Sequence, residues 1–348
     1  MAFTWAALVR TSKVAQAIAV AGMSGTLSCV RDCHCQEQQQ QQHPSRSSKR
    51  HPRVSGSRGA CAISGIRFYA SRSKPAPESS CCFATADQLH QYAVLDGVTG
   101  GQPAGADCAR LCASWLPRLI SHNFQESMQQ LPLSVASSVD IPEEAVESTW
   151  THALMSGFSH CDQLAAQQDQ TGEGSCGALF CTIVRSGIYI ASIGVGMAVI
   201  GTLDSDGETF WGDQASIPHN IANEAEADRW GEPMLSEGVP TRLLGGSSAK
   251  RVETRLLGLP DVVRLEHGDA HRFVILGSPE VWRFGPRLPL QWVVEAQHAG
   301  RNPADEIVIR SQGHDVVALV LVLPGGLGSS DSPLPKHAEL MMPTGAAL

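Results

Sequence analysis

From about residue 60 onward, short apolar runs alternate with polar, turn-forming stretches, a pattern typical of a strand-rich protein. Runs dominated by Val, Ile, Leu and aromatic side chains suit the buried interior of a sheet. They lie at 61–69, 81–86, 91–96, 178–184, 188–193, 197–203, 262–265, 273–276 and 316–323. The pattern therefore predicts a sheet protein built from many short strands.

Two longer stretches carry apolar residues three or four positions apart, the spacing of an amphipathic helix. The first spans 108–119, where Pro117 is expected to bend or shorten the end of the helix. The second spans 146–165 and follows acidic residues that favour a helix start; its Trp150 is expected to lie in the core. A further helix is predicted from Pro303 to the last strand.

The order of these elements predicts the fold class. The runs 178–184, 188–193 and 197–203 are separated by glycine-containing turns, which indicates an antiparallel meander of three central strands. Residues 211–250 are polar and irregular, as expected of a long loop region with a little helix. We therefore expect an α+β sandwich of two antiparallel sheets, flanked by helices on the outer faces.

Charge divides the chain into a basic leader and an acidic body. Residues 1–75 carry a net charge of about +9, and the remainder about −17. A basic, Ser/Ala-rich stretch with few acids is typical of an organelle transit peptide, although a disordered basic tail with another role has the same composition. The predicted organisation is a leader over 1–59, a folded domain over 60–325 and a disordered tail over 326–348.

The sequence of the leader does not decide which organelle the protein would enter. The segment Arg67-Phe68-Tyr69-Ala70 resembles a mitochondrial cleavage site, but 63–69 also suits a first strand. A chloroplast protein is expected, with the mitochondrion as the alternative.

Several partners and site types are disfavoured by composition. No apolar run approaches the roughly 20 residues that cross a bilayer, so no transmembrane segment is predicted. The acidic body argues against nucleic acid as a partner. The 11 cysteines are odd in number and show no paired CxxC spacing, so they are expected to be free thiols in a reducing compartment.

The stretch 91–101 carries the first candidate site. A Val- and Leu-rich strand ends at Asp96 and is followed by Gly97, Gly100 and Gly101. A carboxylate at a strand end can bind a hard cation such as Mg²⁺, because hard cations prefer oxygen ligands. The same residue type also commonly caps a turn. Both interpretations stay open on this stretch alone.

Four blocks, in order, make residues 60–323 resemble the PPM/PP2C metal-dependent Ser/Thr protein phosphatases, closest to the short organellar branch of plants and algae. The blocks are Tyr92-Ala93-Val94-Leu95-Asp96-Gly97-Val98-Thr99-Gly100-Gly101; Gly174-Ser175-Cys176-Gly177-Ala178 with 188–194; Gly268-Asp269 with 273–282; and Gly313-His314-Asp315 with 316–320. The resemblance implies a PP2C-like β-sandwich and a protein partner or phosphoprotein substrate.

The resemblance also implies a metal centre. Two Mg²⁺ or Mn²⁺ ions would be bridged by Asp96, with the Gly97 carbonyl on one ion and Asp315 on the other. Metal-activated water attacks phosphorus in such enzymes. These ions would be the cofactors of an active enzyme, whereas a degenerate one would need none.

Several positions depart from the family pattern. Pro279 and Glu280 replace an acid and its glycine, and an expected Glu-Asp pair falls near Ser79 and Ser80, one position after Glu78. Polar positions are occupied by Val195, Gly196 and Met197, and an asparagine by Val316. Two retained acids are too few to offset about four positive charges.

We therefore expect a pseudophosphatase that acts as a binding or structural subunit, in which Asp96 and Asp315 accept loop hydrogen bonds. The alternative is an active, divergent phosphatase in which Glu280 rescues one ion.

Overall fold

The computed structural model describes residues 55–60, 66–74, 81–86, 90–98, 103–130, 142–169, 171–184, 187–205, 210–231, 238–266, 268, 270–313, 315–324 and 340–341. All of them fall within one compact unit, Ser48–Leu348. Most of the predicted leader and tail, together with Glu78, Ser79 and Ser80, lies outside the described residues.

Thirteen strands are present in the described part of the chain. They are β1 (Ser55–Ala60), β2 (Arg67–Arg72), β3 (Cys81–Ala86), β4 (Gln91–Gly97), β5 (Ser175–Val184), β6 (Gly187–Ile193), β7 (Met197–Leu203), β8 (Phe210–Gln214), β9 (Leu244–Gly245), β10 (Asp261–Leu265), β11 (His271–Gly277), β12 (Val317–Val322) and β13 (Leu340–Met341).

Six α-helices and one 3-10 turn accompany these strands. The helices are α1 (Pro103–Gln129), α2 (Glu143–Gln168), α3 (Glu224–Trp230), α4 (Ser247–Val252), α5 (Arg287–His298) and α6 (Pro303–Ser311). The 3-10 turn is Pro279–Trp282. Among the described residues, no helix is both long and apolar enough to span a membrane.

The strands form two sheets. One has the order β1-β2-β12-β11-β7-β8-β13, and the other contains β10-β6-β5-β4-β3 with β9 paired to β5. The pairs are antiparallel except β8 with the short β13. Apolar side chains from both sheets fill the layer between them, including Ile190, Leu276 and Leu319. This arrangement confirms the predicted two-sheet α+β architecture.

Helices cover both outer faces. The first and second helices, α1 and α2, pack on the sheet that contains β4 and β5. On the other sheet, α5 and α6 cover β7, β11 and β12. Each sheet is therefore buried on both faces, which explains why its central strands are continuous apolar runs rather than alternating ones.

The predicted three-strand meander is wrong. Strand β6 pairs with β5, but β7 pairs with β11 and β8 in the opposite sheet. The chain crosses between the sheets at Gly194, which has a φ of +92°. Because β5, β6 and β7 are all apolar on both faces, their pattern shows burial without showing which strand is the neighbour.

The expectation that Pro117 shortens the first helix is also wrong. Helix α1 continues through Pro117 for a further twelve residues, to Gln129. Its last turns pack against α2, where the rings of Phe124 and Trp150 stack with centroids 4.0 Å apart. Packing along such a long interface offsets the loss of the helical hydrogen bond that proline cannot donate. Trp150 is 7% exposed, which confirms its predicted core position.

Several other element boundaries in the structure differ from those predicted from the sequence. Strand β2 begins at Arg67, so the segment 67–70 lies inside the sheet between β1 and β12. The sheet itself begins at Ser55, before the domain boundary expected at residue 60. Helix α5 was not predicted, and the region 211–250 contains strands β8 and β9 and the short helices α3 and α4.

Candidate active site at the end of strand β4

Asp96 lies near the end of β4, which is paired between β5 and the edge strand β3 of the second sheet. Its neighbours across the strand pairs are Cys81 in β3 and Gly177 in β5. The next residue, Gly97, runs directly past the start of α1: a Cβ atom there would lie 2.6 Å from the carbonyl carbon of Gly105. Glycine is therefore required at this position, because no side chain fits between strand and helix.

The Cys81 thiol joins the two retained acids of the candidate site. It donates a hydrogen bond to Asp96 Oδ1 at 2.9 Å, and its sulfur lies 3.4 Å from the backbone oxygen of Asp315. Sequence reasoning missed this role and treated the cysteine only as a free thiol. The available signal was that 81–86 and 91–97 pair as neighbouring strands, which places residue 81 opposite residue 96.

Burial and like charge perturb the pKa of the Asp96 carboxyl group. Burial raises it, the hydrogen bond from Cys81 lowers it, and the charges of Asp315 and Glu280 raise it again, with a net value of about 6. Burial likewise raises the pKa of the Cys81 thiol well above its ordinary value. The thiol therefore stays protonated at neutral pH and remains a hydrogen-bond donor to Asp96.

The segment that follows β11 supplies no acid directed at Asp96. Ser278 ties this segment to β12, since its Oγ accepts a hydrogen bond from the Val317 amide at 3.0 Å. Pro279 then starts the 3-10 turn and has no side-chain oxygen. Glu280 contributes charge at longer range, but its side chain is 49% exposed and lies 4.0 Å from Arg283.

The cavity beside Asp96 leaves little space for a ligand. Its volume is about 10 Å³, and it is lined by Val94, Asp96, Val98, Gly177, Ala178, Leu179, Val195, Gly196, Gly277 and Ser278. This volume is about the minimum that holds one water molecule. Val195 and Gly196, at positions where the family pattern is polar, form part of the wall, so the lining offers few oxygen donors.

This donor set does not fit two metal ions. Paired ions lie about 3.5–4 Å apart and need several carboxylates around them. Among the described residues, only Cys108, Cys112 and Cys176 form a group of three or more His, Cys, Asp or Glu ligand atoms mutually within 4.8 Å. Asp96, Asp315 and Glu280 therefore form no such group. Ser79, Glu78 and His314 lie outside the described residues.

Comparisons with known proteins agree with this fold. The sequence model of the family described as protein phosphatase 2C matches residues 56–287. That match ends before Asp315, whereas the structure places the following strand, β12, in the middle of a sheet. No curated protein sequence matches the chain.

Solved structures show the same architecture at low sequence identity. The serine-threonine phosphatase 2C from Toxoplasma gondii superposes with a TM-score of 0.54 and 14% identity, over 78% of this chain and 94% of that one. A sex-determining protein from C. elegans gives a TM-score of 0.53 and 16% identity, over 80% of this chain and 66% of that one. With the family match covering most of the folded region, the chain belongs to the protein phosphatase 2C family.

Proposed function

We propose that this protein is a degenerate member of the phosphatase family, which acts as a binding or structural subunit rather than as a hydrolase. The observation that carries the proposal is the hydrogen bond from Cys81 to Asp96. The residue directly opposite the central carboxylate is a proton donor that occupies one of its oxygens. A thiol held in its protonated form is a poor ligand for Mg²⁺ or Mn²⁺, which prefer oxygen.

The surroundings of Asp96 support the same conclusion. The cavity beside it accommodates about one water molecule, and Pro279 stands where the family pattern has an acid. Phosphoryl transfer in this family depends on cations that neutralise the phosphoryl charge. The rest of the sandwich is intact, so what remains is a folded surface that can bind a protein partner.

The direct test combines metal binding with turnover. The purified chain is titrated with Mg²⁺ and Mn²⁺ by calorimetry and assayed in parallel with p-nitrophenyl phosphate and a phosphothreonine peptide. We expect neither metal binding at Asp96 nor turnover. Metal-dependent turnover that disappears in Asp96→Asn would overturn the proposal.

One observation favours the alternative of an active, divergent phosphatase. The charges of Asp315 and Glu280 both act on Asp96, so three acids lie at the same end of the sandwich. The Glu280 side chain is half exposed, and this alternative assigns to it the role of the acid that Pro279 replaces. Under this alternative, Glu280→Gln abolishes Mn²⁺-dependent turnover, whereas under the main proposal there is no turnover for it to abolish.

We also propose that residues 1–59 direct the protein to the chloroplast, with the mitochondrion as the second possibility. Their basic, acid-poor composition supports this targeting role. A fluorescent protein fused behind residues 1–59 and expressed in algal cells is expected to accumulate in chloroplasts. A signal confined to the cytosol would contradict both organelles.

A further inference from the structure

A cluster of buried thiols lies between the first two helices and strand β5. Cys108 and Cys112 are four residues apart on α1 and therefore share one face of the helix. Cys176 reaches the same point from β5, and its sulfur is 3.7 Å from that of Cys108. The three sulfurs lie mutually within 4.8 Å, and none of the three residues is more than 5% exposed.

A fourth thiol adjoins this cluster. Cys161 on α2 is 1% exposed and belongs to the same buried core cluster as Cys112, although its sulfur is not part of the group of three. Four cysteines from three separate elements thus converge in one place. The other fully buried thiol of β5, Cys181, lies in the layer between the two sheets instead.

The separations suit a single soft metal ion. Bonds of about 2.3 Å from one ion to several thiolates place neighbouring sulfurs about 3.8–4.0 Å apart. The observed 3.7 Å between Cys108 and Cys176 is close to that value, and the 4.8 Å limit for the group requires only a small contraction. Thiols packed without a metal have similar spacing, so metal content decides between the two arrangements.

The cluster also favours a deprotonated ligand. Hydrogen bonds from Cys112 and Cys176 lower the pKa of the Cys108 thiol to about 5, whereas the hydrogen bonds with Cys108 raise the pKa values of Cys112 and Cys176 well above the ordinary value. One of the three thiols is therefore held deprotonated and the other two protonated. Above Cys108, Gly245 has a φ of +72°, and a Cβ atom there would lie 2.9 Å from the cysteine sulfur. Glycine at this position lets the short β9 segment pack directly against the cluster.

We propose that Cys108, Cys112 and Cys176 form a binding site for one thiolate-seeking cation, Zn²⁺ or Cu⁺. Both ions have a filled d shell and bind soft sulfur ligands. Binding releases the remaining thiol protons to solvent and ties α1 to β5. Zn²⁺ recruits Cys161 as a fourth, tetrahedral ligand, whereas Cu⁺ uses the three thiolates alone. This site is separate from Asp96 and does not depend on the proposed loss of phosphatase activity.

The test starts with the full chain purified under anaerobic, reducing conditions. Elemental analysis is expected to find about one equivalent of Zn or Cu per chain. After metal removal, titration with Co²⁺ is expected to produce a near-ultraviolet charge-transfer band, which only sulfur ligands generate. Absence of both the native metal and the Co²⁺ band overturns the proposal, as does a disulfide between these cysteines that persists under the reducing conditions of the purification.

Variants assign the ligands. Cys108→Ala and Cys176→Ala are expected to weaken Co²⁺ binding by roughly ten-fold or more. The control Cys181→Ala removes an equally buried thiol from the same strand and is expected to bind as wild type. Asp96→Asn is likewise expected to keep the band, which separates this site from the family's own.

Folding and metal identity need two further measurements. If an alanine variant does not fold, Cys108→Ser, of nearly the same size, replaces it, and circular dichroism confirms its structure. Retention of the band in a folded Cys108 variant overturns the assignment. Cys161→Ala distinguishes the two ions: it lowers Zn²⁺ affinity but leaves Cu⁺ binding unchanged.

Discussion

At the scale of single residues, the candidate site depends on what stands opposite Asp96. The pairing of β3 with β4 places Cys81 there, and its thiol donates to the carboxylate over 2.9 Å. An acid at position 81 would add an oxygen donor at the same place. The proposed loss of the metal centre is thus expected to be partly reversible by one substitution.

The first prediction therefore concerns Cys81→Asp. The second carboxylate increases negative charge beside Asp96, so Mn²⁺ binding is expected to become measurable where the wild type shows none. Calorimetric titration measures the change. Cys81→Asn has the same shape without the charge and is the matched control. Equal affinity in the Asp and Asn variants would show that residue 81 does not face a cation.

A second residue-scale prediction concerns Glu226, which is buried at the start of the region 224–261. Burial raises the pKa of Glu226, but hydrogen bonds from Arg229, Arg242 and Thr241 lower it to about 2. The folded pKa lies below the ordinary value of 4.5, so the unfolded chain binds more protons between these two values. The stability from Glu226 is complete above pH 4.5 and is lost as the pH falls toward 2.

Glu226→Gln is expected to lower the free energy of unfolding by roughly 1.5–3 kcal/mol at pH 7. The difference from wild type should narrow as the pH falls below 4.5, since the wild-type carboxylate is then protonated in the unfolded chain. Chemical denaturation at several pH values measures both effects. The control Glu224→Gln changes an exposed acid of the same helix; an equal loss there would contradict the role of the buried network.

At the scale of elements, the crossing from β6 to β7 determines which sheet each strand joins. Gly194 makes this crossing with a φ of +92°, and a Cβ atom there would lie 2.8 Å from the Cα atom of Gly177. Two backbones therefore touch at this point, next to the cavity beside Asp96.

Gly194→Ala is expected to destabilise the fold by more than about 2 kcal/mol, because it adds a backbone clash to the cost of a left-handed conformation. Thermal and chemical unfolding measure the loss. Gly300→Ala is the matched control: its φ is +65°, but nothing lies within 4 Å of the added carbon. If the two variants lose equal stability, the close approach of Gly194 to Gly177 does not contribute to the free energy of unfolding.

At the scale of the whole molecule, strand β12 holds the first sheet together. All six of its residues are buried, and it pairs with β2 on one side and β11 on the other. Leu319 faces the layer between the sheets, and Val320 faces the helices α5 and α6. The strand thus contributes to two of the three hydrophobic layers although it lies beyond the matched residues 56–287.

A chain that ends at residue 312 is therefore expected not to fold, because β2 and β11 lose their common neighbour and two core layers open to water. A chain that ends at residue 324 keeps β12 and is the control. Circular dichroism and cooperative thermal unfolding measure the outcome. A cooperative transition in the shorter chain would show that the sheet closes without β12.

The sequence alone determined the elements that depend on local pattern. The strands at 81–86 and 91–97, helix α2 and helix α6 follow from apolar spacing and from helix-start residues such as Pro303. The order of four short motifs was enough to identify the family. Pro279 already showed the missing acid, because residue identity alone decides whether an oxygen is present.

Tertiary structure decided which elements meet. Periodicity cannot assign β6 and β7 to different sheets, because both strands are buried on both faces. Nor can it show that α1 continues past Pro117, because the hydrogen bond lost at the proline is offset by packing against α2, which is a long-range contact. Nor does any local signal join Cys108 to Cys176, which is 68 residues away. These contacts follow from strand pairing and helix packing, which are long-range interactions that no local pattern contains.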